Sequence, residues 1–184
     1  MQRARDRVWF TTDSQLCSDT PYCGIERLLP HYCFHYGVEA YEFWGISWLT
    51  YDPYQFGWHS YIGQSERPGE SLWVRYPNGD GFLAYPGAPI GHDGPVSSVR
   101  LEQAREGVED FEYLYLLRDL AVQARAASKD ASQAQATLEM ASKLVSIPNA
   151  GGCYSSRILP DPDAVLRVKE AVARAIEGLT GANR

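Results

Sequence analysis

GDGFLAYPG (residues 79–87) and, a few residues on, GPVSSVRLEQAREGVEDFEYL (94–114) decide how the rest of the chain is read. The first reads as an ordered loop and the second as a hard helix start. Pro95 closes the loop, and the hydroxyl of Ser97 or Ser98 can accept a hydrogen bond from the first-turn amides, so a helix is expected from Val99. Glu102 falls one place late for a capping box, but within the first turn, where the helix dipole favours a carboxylate. Leu101, Ala104, Val108, Phe111, Leu114 and Leu117 recur at three- and four-residue steps, giving one apolar stripe that needs a partner surface. Gly107 costs a helix interior about 1 kcal/mol relative to alanine, which predicts that a neighbouring backbone or ring comes close there. Arg105 and Glu109, four apart, read as a solvated ion pair.

Taken together, these segments resemble the C-terminal part of the catalytic domain of glycoside hydrolase family 123. A Gly-Asp-Gly turn, a Tyr-Pro-Gly loop, a Ser-x-Arg-Leu-Glu helix start and a Glu-Asp-Phe-Glu-Tyr segment follow one another in that order. The resemblance extends upstream to Arg27-Leu-Leu-Pro, Tyr36-Gly-Val and Phe43-Trp-Gly, which look like the penultimate helix and last strand of that family's (β/α)8 barrel. His31 and Ala40 depart from the pattern, which has Trp and Gly at those places.

Composition narrows the function classes. The chain has 184 residues, enough for a real core, and a formal charge of −6 with 17 scattered basic residues. No basic cluster exists to neutralise phosphates, so nucleic acid and anionic membrane are not expected partners. No apolar run reaches the roughly 18 residues of a membrane span, and Met1–Val8 lacks the apolar core of a secretory signal. The compartment is left open. All five tryptophans precede residue 74, so the chain divides into an aromatic, Gly/Pro-rich first half and an Ala-rich helical second half. The four cysteines, Cys17, Cys23, Cys33 and Cys153, follow no C-x-x-C pattern. A Cys17–Cys23 disulfide and free buried thiols are both compatible with that spacing.

In chain order, residues 8–12 (VWFTT) read as a short buried strand whose carboxyl end reaches a site. Ile25, Leu28, Leu29, Tyr32, Cys33 and Tyr36 have helical spacing, with Pro30 either interrupting the helix or in its first turn and Gly37 ending it. Glu39 to Trp48 is a second strand candidate, with Gly45 marking a bulge or close approach. Strand, helix, strand at this spacing is a βαβ unit, the element of a parallel sheet. Residues 49–96 read as a long irregular stretch, and a loop of such length in a compact domain is usually functional. Ala131, Ala134, Leu138, Ala141 and Val145 form a further helical stripe, ended by Pro148 and the turn at 149–152. A last helix is expected with Asp161 as cap and Pro162 at its first position, its apolar face made by Val165, Val168, Val172, Ile176 and Leu179.

The expected fold class is therefore α/β: the C-terminal fragment of a (β/α)8 barrel with two to three parallel strands, followed by a helical tail. Residues 1–96 hold the last strands and a long aromatic loop on the active-site face. Residues 97–184 hold helices that pack on the barrel, the whole being one structural unit of a larger domain. The resemblance implies an N-acetyl-β-galactosaminidase-like enzyme in which the sugar's own 2-acetamido group is the nucleophile and an adjacent Asp-Glu pair orients it and donates the proton. That pair would lie upstream of this chain, so the chain alone is expected to be inactive. Glu109-Asp110 has the reverse order and sits mid-helix, which reads as salt bridging.

What this chain can supply is a surface for carbohydrate. Trp44 and Trp48, near the end of the second strand, and Trp9, placed at the end of the first, are candidate ring faces for the apolar side of a pyranose. Asp52 and Asp80 are candidates to bond sugar hydroxyls, with turn roles in Asp-Pro and Gly-Asp-Gly as the competing reading. His31 and His35 have a metal-like spacing but no third ligand at a recognisable interval, so no metal or cofactor is expected. The expected partners are an amino-sugar glycoside and either the missing barrel portion or a second copy. Two competing classes stand beside this one: a non-catalytic carbohydrate-binding module, and a structural helical domain that associates through its stripe.

Overall fold

The computed structural model describes residues 8–12, 25–43, 45–47, 52–55, 59–64, 71–76, 79, 81–146, 161 and 163–181. The chain opens with β1 (Trp9–Thr12), α1 (Ile25–Tyr36) and β2 (Ala40–Phe43). β1 and β2 pair in parallel, with Trp9 opposite Ala40 and Thr12 opposite Phe43. The expected βαβ unit is thus present. Pro30 lies well inside α1, and Gly37 follows its last turn at φ +65°, the left-handed region that glycine enters without steric penalty.

β2 is shorter than the sequence suggests. Its ladder stops at Phe43, and beyond it Ser47 forms an isolated antiparallel bridge with Phe82. Gly45 and Ile46 lie outside any regular strand. The stretch 49–96 is not irregular either. It contains an antiparallel hairpin, β3 (His59–Gln64) with β4 (Ser71–Tyr76), and a shorter one, β5 (Ala84–Pro86) with β6 (Pro95–Ser97). Both carry the β-branched and aromatic residues that strands favour, a signal masked by the Gly and Pro around them.

Three helices follow: α2 (Val99–Ala126), α3 (Ser132–Lys143) and α4 (Ala164–Thr180). Ser98 caps α2, its hydroxyl accepting from the Leu101 amide at 3.2 Å and donating to the Leu83 carbonyl at 2.6 Å. Ser97 donates to Glu102 at 2.6 Å. α4 begins later than expected. Asp161 does not cap it, because its carboxylate accepts from the Asp163 amide at 3.1 Å and pairs with Arg167, forming a turn ahead of the helix. Gly181 ends α4 at φ +72°.

The principal core joins α2, α3 and α4. Leu114, Leu117, Ala121 and Ala124 meet Ala131, Ala134 and Ala141 and, from α4, Val168, Val172 and Ala175, with Phe34 of α1 packed at the edge. A second cluster joins Leu28 and Tyr32 of α1 to Val145 and Val165. The stripes expected for α3 and α4 are found.

The stripe expected for α2 is only half right. Leu114 and Leu117 are buried, but Leu101 is 36% and Val108 47% exposed, and the buried face runs instead through Arg100, Gly107, Asp110, Leu114, Leu117, Ala121 and Ala124. Two features put polar and small residues on that face. An added Cβ at Gly107 would lie 2.6 Å from the Arg27 carbonyl oxygen, so the helices touch backbone to backbone there. One turn on, the buried Asp110 carboxylate accepts from Arg27 Nε at 2.9 Å, lies 3.3 Å from His31 Nε2 and faces Lys169 Nζ of α4 at 3.3 Å. Glu106 completes the junction with Lys169 at 2.7 Å and Arg27 at 3.7 Å. The Glu109 carboxylate pairs on the surface with Arg105, as its spacing predicts.

Candidate functional site

In a parallel sheet, ligands bind at the carboxyl ends of the strands, where the connecting loops gather. Here that end is marked by Thr12 and Phe43, the last residues of β1 and β2. The segment 81–85 is bonded onto the chain leaving β2: the Ile46 carbonyl accepts from the amides of Leu83 and Ala84, both at 2.9 Å, and the Ser47 hydroxyl donates to the Ala84 carbonyl at 2.7 Å. Gly45 is the close approach its sequence position suggests, since a Cβ there would lie 3.0 Å from Gly81 Cα.

Arg100, in the first turn of α2, locks this segment. Its buried guanidinium donates to the Phe82 carbonyl at 2.7 Å and to the Tyr85 hydroxyl at 2.8 Å. It also lies against Gly79, where an added Cβ would come within 2.6 Å of it. Tyr85 in turn stacks on the fully buried Phe82, centroids 5.3 Å apart, and meets Tyr54 at 5.8 Å. Asp52 is half-buried, and its carboxylate accepts from the Tyr54 amide at 2.9 Å, closing a turn that fixes where Tyr54 stands. Its turn role is thus a described contact.

Glu26, in the first turn of α1, is 2% exposed, and its Oε2 has no hydrogen-bond partner among the described residues. Burial pushes its carboxyl up from the usual glutamate range, a rise that its own backbone amide and the charge of Arg100 offset only in part. A raised folded-state value means that Glu26 favours the fold fully below about pH 4.5, the ordinary value, and less as pH rises and the folded protein must ionise it. Glu26→Gln is therefore expected to stabilise the chain by about 1–2 kcal/mol at neutral pH, with the gain vanishing near pH 4. Urea unfolding at the two pH values reads this. Equal midpoints for variant and wild type at neutral pH would show that the carboxylate carries no burial penalty.

The residues proposed from sequence fare unevenly. Trp44, Trp48 and Asp80 lie outside the described residues. Trp9 opens β1 rather than closing it, so it stands at the amino end of the sheet, 65% exposed, away from the strand ends that Arg100 and the 81–85 segment organise. The expectation of a buried strand is not met at Val8 and Trp9, while Phe10 is partly buried against the second cluster. Cys17, Cys23 and Cys153 also lie outside the described residues, while Cys33 is a buried free thiol. His31 is committed to Asp110, and His35 packs edge-on against Tyr36. Among the described residues no three His, Cys, Asp or Glu side chains are grouped to hold a metal, and no helix is long and apolar enough to cross a membrane.

Arg100, Tyr85 and Glu26 were not singled out by sequence. Arg100 and Tyr85 do fall inside the Ser-x-Arg-Leu-Glu and Tyr-Pro-Gly motifs, and the structure shows what joins those motifs: one side chain donating to the other. The model of the glycoside hydrolase 123 catalytic domain matches residues 26–117, the span from Glu26 through Arg100 to the buried part of α2. The chain belongs to the glycoside hydrolase 123 family. The match holds α1, β2, both hairpins and most of α2, so every contact of the Arg100 lock lies inside the glycoside hydrolase 123 region. No curated protein matches the chain.

Proposed function

We propose that this chain is the closing part of a (β/α)8 glycoside hydrolase domain acting on N-acetyl-hexosaminides, in which it supplies sugar-binding residues and an upstream Asp-Glu pair supplies the chemistry. The family match is the observation that carries this reading. The parallel β1–α1–β2 unit supports the barrel, because parallel strands are ordinarily covered on both faces and belong to larger sheets. Here Val8, Trp9 and Ile46 are exposed. A groove of about 270 Å³ also runs beside β2, between Pro30 and Cys33 of α1 and Val108 and Phe111 of α2. The remaining barrel strands are the proposed partner of these surfaces.

In such a domain the 2-acetamido oxygen of the substrate attacks the anomeric carbon while a carboxylic acid protonates the departing oxygen, and water then opens the cyclic intermediate with retention. Asp110 takes no part in this, being held by Arg27, His31 and Lys169. Trp44 and Trp48 are proposed ring faces for the sugar, with Asp52 and Asp80 as hydroxyl acceptors. The test is to incubate the polypeptide with an aryl N-acetyl-β-galactosaminide and, separately, to follow tryptophan fluorescence during titration with N-acetylgalactosamine. No turnover is expected, with a fluorescence change that Trp44→Ala diminishes. Turnover lost on Asp110→Asn without loss of folding would overturn the assignment. A second reading, a non-catalytic binding or helical interaction module, draws support from the self-contained core of α2, α3 and α4; absence of any response to amino sugars would favour it.

A further inference from the structure

We propose that Tyr54 and Tyr85 form a sugar-stacking subsite at the strand ends, with Asp52 as its hydroxyl acceptor. The inference rests on the carbohydrate reading given above and adds to it the residues that hold the ring. Tyr54 is 42% exposed although it packs against Tyr85, their centroids 5.8 Å apart and their planes inclined by 46°. Tyr54 and Tyr85 are thus two touching aromatic walls, the first standing in solvent and the second half-buried. The C–H face of a pyranose is apolar and suits such a wall, while its hydroxyls need polar groups at the rim.

Both walls are held before any ligand arrives. Tyr54 is aimed by the Asp52 carboxylate on its amide at 2.9 Å and by the turn bond from the Gln55 amide to the Asp52 carbonyl at 3.3 Å. Tyr85 is fixed by stacking on Phe82 and by the Arg100 guanidinium. A platform that is already ordered loses little freedom on binding. The polar groups are also suitably disposed. Arg100 donates to the Tyr85 oxygen, so the phenolic proton is turned toward an acceptor elsewhere, which a sugar hydroxyl can be. Asp52 uses one carboxylate oxygen on the Tyr54 amide, and a carboxylate has a second oxygen able to accept from a sugar hydroxyl.

The experiment uses the full chain with ring-13C tyrosine, titrated with N-acetylgalactosamine and read by aromatic 1H–13C spectra beside tryptophan fluorescence. Saturable shifts of the Tyr54 and Tyr85 signals are expected. Tyr54→Ala should weaken binding about five- to tenfold, whereas Tyr54→Phe, which keeps the ring, should stay within about twofold. Tyr85→Phe should cost about threefold through loss of the donor. Unchanged affinity in Tyr54→Ala, or a fluorescence response without shifts at these two rings, would overturn the subsite and leave the carbohydrate reading standing. No response by either readout in the wild-type chain would overturn both.

Discussion

Asp110→Ala is expected to lower the stability of the fold by about 3–5 kcal/mol, the usual loss when one member of a buried ion pair is removed. The carboxylate is 3% exposed and sits among Arg27, His31 and Lys169, so its removal leaves a buried guanidinium short of its nearest anion. Glu106, 3.7 Å from Arg27, can take up part of the slack, which places the loss toward the lower end. Burial alone would push the Asp110 carboxyl up, but the hydrogen bonds from His31 and Arg27 and the charge of Arg27 together hold it below the usual aspartate range. The sign then follows: a depressed folded-state value adds stability above about pH 3.8, the ordinary value, and that contribution is lost as acid protonates the folded carboxyl. Urea titrations of wild type and variant should converge as pH falls through that region. A loss under about 1 kcal/mol at neutral pH would mean that the junction behaves as a solvated surface pair.

Gly107→Val is expected to cost about 3 kcal/mol, at the upper end for overpacking a well-filled interface. A Cβ at this position would meet the Arg27 carbonyl oxygen at 2.6 Å and its Cα at 3.0 Å. Both are backbone atoms of a helix, so relief requires moving α1 away from α2 as a body. That movement would also stretch the Arg27–Asp110 contact one turn along. Gly107→Ala should cost less, because about 1 kcal/mol of helix propensity returns with the methyl group, but the net sign is still loss. Thermal unfolding of the two variants gives the ranking Gly, Ala, Val in decreasing stability. An alanine variant more stable than wild type would show that the helices can separate freely, and that the contact at Gly107 does not set their spacing.

These two positions also explain which parts of the fold were legible in the sequence. The stripes of α3 and α4 could be read because their buried residues are nearly all apolar at regular steps, and the βαβ unit because a helically spaced segment lies between two short aromatic runs of strand-forming residues. The inner face of α2 could not, because its contact with α1 uses Gly107, which has no side chain to count, and Asp110, whose burial depends on a cationic partner 83 residues away. Periodicity instead selected the neighbouring face with Leu101 and Val108, which the described residues leave open. The Gly107 anomaly itself did point to the close approach. At the strand ends, the Arg100 lock was hidden because a hydrogen bond from Arg100 to Tyr85 leaves no mark on residue spacing. The late start of α4 was missed for a similar reason: Asp161 is a good cap by type and is spent on a turn.

The Arg100 lock also bears on how this segment tolerates change in length. The guanidinium grips the chain at Phe82 and Tyr85, and Ser98 holds Leu83, whereas residues 88–95 lie exposed at the tip between β5 and β6. Insertions and deletions should therefore be absorbed at the tip without disturbing either flank, while a single added residue between 81 and 85 would pull the peptide off three donors at once. A library of chain-length variants across 79–97 should recover its folded members almost wholly from the outer half of the hairpin, and that same outer half is where a tag or a reporter domain can be spliced in.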